Sequence, residues 1–155
     1  AWKTNCKACP NGMTEEETIE LTVDLRKGMA PGDTIKFEQV ADERVGHIAG
    51  DLIFTVRQAQ HGSFARDGDN LMTTMPITLL DSLVGFEYSI DHLDGHQVPV
   101  TKTDVSYCSE IIRIAGQGMP KKNGKGFGDL FVTLSINFPK SFSESQKAQL
   151  KEVLK

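Results

Sequence analysis

The segment Gly50-Asp51-Leu52-Ile53-Phe54-Thr55-Val56 returns 78 residues further along the chain as Gly128-Asp129-Leu130-Phe131-Val132-Thr133-Leu134. Two shorter pairs precede these copies at an offset of 77 residues, namely Ile35-Lys36-Phe37 with Ile112-Arg113-Ile114 and Leu21-Thr22-Val23 with Val98-Pro99-Val100. Short strands often resemble one another, but three pairs in one order at nearly constant spacing indicate a true repeat. The chain is therefore predicted to hold two tandem copies of one β unit.

The second copy opens with a stretch that has no counterpart in the first. Leu71 to Ile90 is predicted to form a strand, a short helix and another strand. The equivalent stretch of the first copy would fall before Ala1. We therefore expect the first copy to begin partway through a domain.

The composition narrows the possible functions. The chain has 155 residues, of which 39% are hydrophobic and 25% charged, as in an ordinary globular protein. Its net charge of −4 argues against a nucleic-acid-binding protein, which needs a basic surface for the phosphates. No apolar run approaches the ~18 residues of a membrane-spanning helix, so no membrane partner is expected.

Alternating apolar residues predict the strands of the first copy. Ile19, Leu21, Val23 and Leu25 alternate with polar residues, which is typical of a half-buried strand. Further strands are predicted over residues 34–37 and 52–58. Residues 61–70 are predicted to be a linker and turn between the two units.

In the second copy, a short helix is predicted over residues 78–83 and ends at Gly85. Asp94-Gly95 marks a hairpin turn. Strands are predicted over residues 98–101 and 130–138, and Pro139 ends the last one.

The chain is predicted to finish with a helix from Glu144 to Leu154. Ser143 and Gln146 have the spacing of a capping box, in which each side chain bonds the other residue's amide. Leu150, Val153 and Leu154 then share one apolar face. That face packs either on its own domain or on a partner molecule.

The glycine-rich stretch from Gly116 to Gly128 raises the question of nucleotide binding. A phosphate-binding loop leads into a helix N-terminus, whereas this stretch leads into a predicted strand and contains no Gly-Lys-Ser/Thr. We therefore expect a mobile connection between strands.

The histidines do not predict a catalytic centre. The candidate side chains are His47, His61, Asp67, Asp69, His92 and His96. His61 and the two aspartates lie in a predicted turn, where such residues are favoured for conformation alone. No Ser/His/Asp set or His-x-x-x-His pair has a compelling spacing. We expect no enzyme activity, no metal and no cofactor.

Cys6-x-x-Cys9 is the one cysteine pair with site-like spacing. Structural zinc normally takes four ligands, so this pair supplies at most half a zinc site. The alternatives are half of a disulfide arrangement or a local redox pair. Cys108, beside Tyr107 at a predicted strand edge, is expected to be a small buried hydrophobic residue.

The remaining candidate is apolar surface. Leu21 and Phe54 lie on predicted strands of the first copy. The common interpretation of such residues is that both belong to a core. The alternative is a groove in which an extended peptide adds as a strand and places its side chains in pockets. The pattern alone does not separate the two.

Several motifs together resemble the C-terminal substrate-binding region of DnaJ-type co-chaperones. Residues 61–71 are similar to the family's His-x-x-Phe-x-Arg-x-Gly-x-Asp-Leu signature, with Asn70 in the place of the aspartate. The further motifs, in the family's order, are Leu79 to Gly85, Leu93-Asp94-Gly95, Gly116-x-Gly118-Met119-Pro120 and Gly128-Asp129-Leu130. The likeness runs from about Glu17 to Leu154.

The resemblance implies a mainly β fold with two tandem small β-sandwich-like domains and a short C-terminal helix. It also implies binding of unfolded client polypeptides for transfer to a DnaK-type chaperone. In the family, a shallow apolar pocket on the first domain takes a leucine-like client side chain, and Leu21 and Phe54 match two of its wall positions. No His-Pro-Asp tripeptide occurs, so we expect no stimulation of a partner ATPase.

The cysteine segment departs from the zinc-binding members of the family. Cys9 is followed by Pro10-Asn11-Gly12, which is similar to the members of the endoplasmic-reticulum lumen. Those members carry disulfides in place of a zinc site, and disulfides persist in oxidising compartments. The resemblance thus implies the endoplasmic-reticulum lumen, with the cytoplasm as the alternative. Cys6 and Cys9 would bond each other or stay free.

Domain limits follow from the repeat and the resemblance. Residues 1–62 are expected to be the C-terminal part of the first peptide-binding β domain, and residues 63–139 the second β domain. Residues 140–155 are expected to be a helix leading to a dimerisation segment. Since family dimers form through the far C-terminus, a homodimer would use Leu150, Val153 and Leu154.

Two other functions stay open. A thiol–disulfide redox protein would act through Cys6 and Cys9, but it would need a thiol pKa depressed by a helix N-terminus. Pro10-Asn11-Gly12 disfavours a helix there. A structural spacer would hold other domains apart and bind no unfolded protein.

Overall fold

The structure is a computed structural model that describes residues 17–42, 47–122 and 124–155. It divides into two compact units, residues 1–59 and residues 60–155, called unit 1 and unit 2 below. Cys6 and Cys9 lie outside the described residues. The predicted mainly β fold class is confirmed, because the described residues form several small sheets and two short helices.

The described part of unit 1 contains one antiparallel hairpin. β1 (Thr34–Phe37) pairs with β2 (Leu52–Thr55), with Phe37 opposite Leu52. Both strands lie where the alternation of apolar residues predicts them, although β2 ends before the predicted limit at residue 58.

The described residues of unit 2 form six strands and two helices. In chain order they are β3 (Ala65–Asp67), β4 (Asn70–Thr78), α1 (Leu79–Val84), β5 (Phe86–Asp91), β6 (Gln97–Lys102), β7 (Ile111–Ile114), β8 (Leu130–Asn137) and α2 (Glu144–Val153). One sheet has the order β3-β4-β8-β7, in which β4 and β8 are parallel. The other sheet is the antiparallel pair β5-β6. β3 falls inside the predicted linker, which is therefore partly a strand.

The core of unit 2 takes side chains from both sheets. Its largest fully buried members are Leu71, Ile77, Val98, Val100, Leu130, Val132 and Leu134. On β8 the buried positions recur at every second residue, as expected of a strand with one face in the core. Burial of each such aliphatic side chain contributes about 1.5–3 kcal/mol, so β8 carries much of the unit's stability.

The predicted strand over Ile19–Leu25 is wrong, because residues 17–26 form no strand. A strand requires a hydrogen-bonded neighbour. In unit 2, the equivalent segment at Val98–Val100 pairs with β5. At the repeat offset, the counterpart of β5 falls on residues 9–14, which lie outside the described residues.

Both predicted helices are confirmed, with their caps. Thr78 Oγ1 accepts the Asp81 amide at 3.1 Å, and α1 ends at Gly85 as predicted. α2 begins with the predicted capping box, in which Ser143 Oγ accepts the Gln146 amide at 3.3 Å. No residue of α2 is buried.

One aspartate organises the hairpin of unit 1. The Gln39 amide donates to Asp51 Oδ1 at 3.1 Å, and the Lys36 ammonium lies 2.8 Å from Asp51 Oδ2. Gln39 has a φ of 55°, a conformation that L residues seldom adopt. We call this arrangement of cation, aspartate and positive-φ amide the aspartate clamp.

The second copy of the repeat forms the same clamp. The Gly116 amide donates to Asp129 Oδ1 at 3.0 Å, and Arg113 Nη2 lies 2.6 Å from Asp129 Oδ2. Gly116 stands at the position equivalent to Gln39 and also has a positive φ, of 72°. The β7–β8 hairpin is thus the counterpart of β1–β2, and two of the three repeated blocks form the same hydrogen-bonded hairpin.

The glycine-rich stretch forms a narrow hairpin, whereas the sequence predicted a mobile connection. The Gly118 amide donates to the Gly128 carbonyl oxygen and the Gly128 amide to that of Met119, both at 2.9 Å. The Met119 amide also donates to the Asp69 carbonyl oxygen at 2.8 Å. This hairpin therefore packs its backbone directly on the β3–β4 turn.

Cys108 is exposed, so its predicted burial is wrong. It lies in the turn that precedes β7, where the Glu110 amide donates to the Tyr107 carbonyl oxygen at 3.2 Å. Its place in this turn, outside the paired strand, leaves the thiol accessible. Among the described residues, no helix has the length and apolar character needed to cross a membrane.

Candidate functional site

The candidate site of unit 1 is a run of exposed apolar residues on β2, which we call the β2 surface: Leu52, Ile53 and Phe54. Their exposed fractions are 37%, 57% and 39%. Because successive side chains of a strand alternate, Leu52 and Phe54 share one face of the hairpin and Ile53 lies on the other. Each face therefore offers at least one accessible aliphatic or aromatic group.

The face that carries Phe54 is apolar across both strands. Phe37 lies opposite Leu52, and Ile35 lies opposite Phe54. The rings of Phe37 and Phe54 meet edge to face, with centroids 5.7 Å apart and planes at 84°. This geometry is favourable for aromatic pairs and holds Phe54 in a defined orientation.

The second copy of the repeat shows how exposed the equivalent residues are in unit 2. Leu130 and Val132 of β8 stand at the positions equivalent to Leu52 and Phe54, and both are fully buried. There, β4 pairs in parallel along the edge of β8 that β7 leaves open. In the described part of unit 1, no strand occupies the corresponding edge of β2. Among the described residues, Leu52 and Phe54 are therefore accessible, and they are the kind of apolar side chains that an extended peptide contacts.

The second predicted pocket residue, Leu21, lies in the segment of unit 1 that forms no strand. Its side chain is half-buried. Neither Leu21 nor Phe54 belongs to the buried hydrophobic core. The structure thus places both predicted side chains within reach of solvent in the same unit.

Charged groups of the first aspartate clamp border the β2 surface. The hydrogen bond from the Lys36 side chain lowers the pKa of Asp51, and the Gln39 amide lowers it further. The same hydrogen bond raises the pKa of Lys36. Lys36 and Asp51 are therefore both charged at neutral pH. These two charged side chains lie at the border of the β2 surface.

The signature segment at residues 61–71 has a structural role. Nδ1 of His61 accepts the amides of Ser63 and Phe64 at 3.2 and 3.3 Å. Phe64 is buried in the core of unit 2. Asn70 Oδ1 accepts the Asp129 amide at 3.0 Å, a role that a carboxylate oxygen would fill equally well. The exchange of the family's aspartate for asparagine keeps this hydrogen bond.

Unit 2 also holds a polar cluster that the sequence analysis missed: His92, Asp94 and His96. It lies on the turn between β5 and β6, which the His92 amide closes by donating to the His96 carbonyl oxygen at 2.8 Å. Asp94 Oδ1 lies 3.2 Å from Nδ1 of His92 and also contacts Nδ1 of His96. The spacing His-x-Asp-x-His around an Asp-Gly turn is the signal that could have identified the cluster.

The cluster faces Gln117 of the glycine-rich hairpin. Nε2 of His92 lies 3.0 Å from the backbone carbonyl oxygen of Gln117, and Nε2 of His96 lies 2.7 Å from its side-chain oxygen. The hydrogen bond with His96 is the main cause that lowers the pKa of Asp94, to about 2. The hydrogen bond with Gln117, followed by that with Asp94, raises the pKa of His96.

The apolar face of α2 is largely exposed. Val153 and Leu154 are 80% and 65% exposed, and Leu150 is half-buried. The sequence left open whether this face packs on its own domain or on a partner molecule. In the structure, its own domain covers little of it.

Comparison with known proteins identifies the family to which this chain belongs. A family model described as DnaJ C terminal domain matches residues 3–139. The DnaJ protein ERDJ3B of Arabidopsis thaliana is 39% identical over 148 residues, which cover 96% of this chain and 43% of that protein. The DnaJ homolog shv of Drosophila melanogaster is 38% identical over 154 residues, or 98% of this chain and 44% of that protein. The DnaJ homolog subfamily B member 11 of Homo sapiens is 33% identical over 152 residues, or 97% and 42%.

The chain thus spans less than half of the length of these curated relatives.

Proposed function

Because the chain belongs to the DnaJ C-terminal domain family, we propose that it binds unfolded client polypeptides through the β2 surface of unit 1. The client would then pass to a DnaK-type chaperone. The binding needs no chemical step, since it uses apolar side chains and backbone hydrogen bonds. The single observation that carries the proposal is the exposure of Leu52 and Phe54 on the apolar face of the β1–β2 hairpin.

The expected strength of this binding follows from the size of the surface. A leucine-sized client side chain that becomes fully buried contributes about 1.5–3 kcal/mol. Ordering of the client and of the side chains opposes this gain. A single β2 surface should therefore bind unfolded polypeptide weakly, with a Kd of about micromolar or higher.

Phe54→Ala is expected to weaken client binding about tenfold, which corresponds to about 1.4 kcal/mol. The substitution removes the ring that Phe37 orients and leaves the backbone edge of β2 intact. The measurement is fluorescence anisotropy of labelled, reduced and carboxymethylated α-lactalbumin, which stays unfolded, titrated with the whole chain. Leu21→Ala should weaken binding in the same direction.

Ile53→Ala provides the matched control, since Ile53 is a more exposed neighbour on the opposite face of β2. The proposal predicts that its affinity stays within about twofold of the parent chain. An equal loss for Phe54→Ala and Ile53→Ala would mean nonspecific adhesion to exposed apolar groups. Absence of any binding by the parent chain would favour the structural spacer.

We also propose that the protein acts in the endoplasmic-reticulum lumen. The support is the Cys6-x-x-Cys9-Pro10-Asn11 sequence, which resembles the lumenal members of the family. Cys6 and Cys9 would then be oxidised together or remain as free thiols. No described residue bears on their state.

The exposed face of α2 supports a proposal that two copies of the chain associate through Leu150, Val153 and Leu154. An apolar stripe that its own unit does not cover can bury itself against the same stripe of a second copy. A homodimer would also place two β2 surfaces in one particle and so raise the apparent affinity for a client.

The double substitution Val153→Asp and Leu154→Asp is expected to weaken self-association by at least about tenfold, because it places two charges in an apolar contact. Sedimentation velocity over a range of chain concentrations measures this. Ala148→Asp, on the opposite side of the helix, is the control for added negative charge. A parent chain that sediments as a monomer at every concentration would reject the dimer.

A further inference from the structure

The hydrogen bonds of the polar cluster in unit 2 determine where the proton of His92 lies. Nε2 of His92 is 3.0 Å from the backbone carbonyl oxygen of Gln117. A carbonyl oxygen can only accept, so Nε2 must carry the hydrogen. A neutral His92 then has its lone pair on Nδ1, the nitrogen that faces Asp94.

This assignment leaves an unfavourable contact. Asp94 Oδ1 lies 3.2 Å from Nδ1 of His92, and it also contacts Nδ1 of His96. An ionised carboxylate has no hydrogen to donate. At the contact between His92 and Asp94, two lone pairs therefore face each other unless a cation lies between them.

The rings of His92 and His96 lie with their centroids 4.6 Å apart, and the side chain of His92 is only 10% exposed. One divalent ion placed between the three side chains would satisfy all three ligand atoms at once.

We propose that Nδ1 of His92, Nδ1 of His96 and Oδ1 of Asp94 bind a divalent transition-metal ion of the zinc class. The three ligand atoms lie within 4.8 Å of one another. In a tetrahedral site with bonds of about 2.1 Å, neighbouring ligand atoms lie about 3.4 Å apart, close to the 3.2 Å between His92 and Asp94. The contact between His96 and Asp94 is shorter, so these two side chains would move apart when the ion binds. Water would take the fourth position.

The surroundings of the cluster match those of a metal site. Imidazole nitrogen with a carboxylate oxygen is a donor set that suits zinc and its neighbours in the first transition row. A histidine ligand usually donates its other N–H to a carbonyl or carboxylate, as His92 does to Gln117. Because Gln117 belongs to the glycine-rich hairpin, the ion would link that hairpin to the β5–β6 turn and stabilise unit 2.

Isothermal titration of the whole chain with zinc chloride at neutral pH tests this proposal. All samples carry no histidine tag and have Cys6, Cys9 and Cys108 replaced by serine, so that thiolates cannot bind the ion. The expected result is saturable binding of one ion per chain, with a rise in the thermal midpoint of unit 2. His96→Gln should weaken the affinity at least tenfold, whereas His47→Gln, which removes a histidine outside the cluster, should leave it unchanged.

A second readout separates the metal from protons. In nitrogen-detected NMR of the imidazole rings, zinc should shift Nδ1 of His92 and His96 while Nε2 of His92 stays protonated. Asp94→Asn serves as a second variant if His96→Gln fails to fold by circular dichroism. Equal zinc affinity in parent and cluster variants would overturn the proposal, as would rings that stay doubly protonated at saturating zinc.

Discussion

Gly128→Ala is expected to lower the free energy of unfolding of unit 2 by about 3 kcal/mol or more. A Cβ atom at this position would lie 2.0 Å from the carbonyl oxygen of Asp69 and 2.5 Å from its carbonyl carbon. Both are backbone atoms. The same oxygen accepts the Met119 amide, so a shift that relieves the clash also breaks this hydrogen bond.

Hydrogen exchange of the β8 amides measures this change, because the core strand of a unit exchanges by unfolding of that unit. Gly116→Ala is one control, since its Cβ would meet open space and only the positive φ is unfavourable, at a cost of about 1 kcal/mol. Gly62→Ala is a second control, with open space and no such φ. Equal protection in Gly128→Ala and Gly62→Ala would contradict the packing that we describe.

Leu130→Ala is expected to cost about 2–5 kcal/mol of the stability of unit 2, the usual range for a buried leucine. The side chain has no exposed area. Its strand pairs with β4 on one edge and β7 on the other, so the backbone cannot easily move to fill the cavity. Urea unfolding followed by hydrogen exchange of the β4 and β8 amides gives the value.

The chain offers two matched leucines for comparison. Leu80→Ala, on α1, removes the same atoms from a side chain that is 66% exposed and should change stability by less than about 0.5 kcal/mol. Leu52→Ala, at the equivalent position of the repeat, should leave unit 2 unchanged. A cost for Leu130→Ala as small as that for Leu80→Ala would show that the core is not packed around β8.

Local chemistry made several parts of the fold predictable from the sequence. The α2 cap needs only Ser143 and Gln146, and the α1 stop needs only Gly85, because these interactions lie within one turn of the chain. The repeat was predictable because two hairpins with the same hydrogen bonds retain similar residues at similar spacing. Family motifs such as Gly128-Asp129 indicated the fold from the sequence alone. The structure supplies the physical reason for the glycine, which is the close contact between its backbone and that of Asp69.

Features that depend on distant partners were not predictable. The alternation of Ile19 to Leu25 indicates a strand, but a strand exists only beside a partner, and sequence alternation does not supply one. Cys108 was expected to be buried because it follows Tyr107 near a strand. The turn before β7 instead directs it to solvent.

The same contrast between local interactions and interactions with distant residues applies to the candidate sites. Phe54 could be singled out by its motif, yet its exposure depends on what lies along the edge of β2, which is a tertiary property. The histidine cluster was missed because its third element, Gln117, lies on a separate hairpin. The spacing His-x-Asp-x-His identifies the three side chains on one turn. It does not identify the Gln117 carbonyl oxygen, which determines the tautomer of His92.

The duplicated aspartate clamp gives this polypeptide an internal standard. The same three hydrogen-bonding roles occur once on a hairpin with strands on both sides of β8 and once on a hairpin whose β2 edge is open among the described residues. Asp51→Asn and Asp129→Asn can therefore be compared within one molecule, in one buffer and at one temperature. Their difference reports how one arrangement of hydrogen bonds responds to its surroundings and to its cation, which is Lys36 in the first copy and Arg113 in the second.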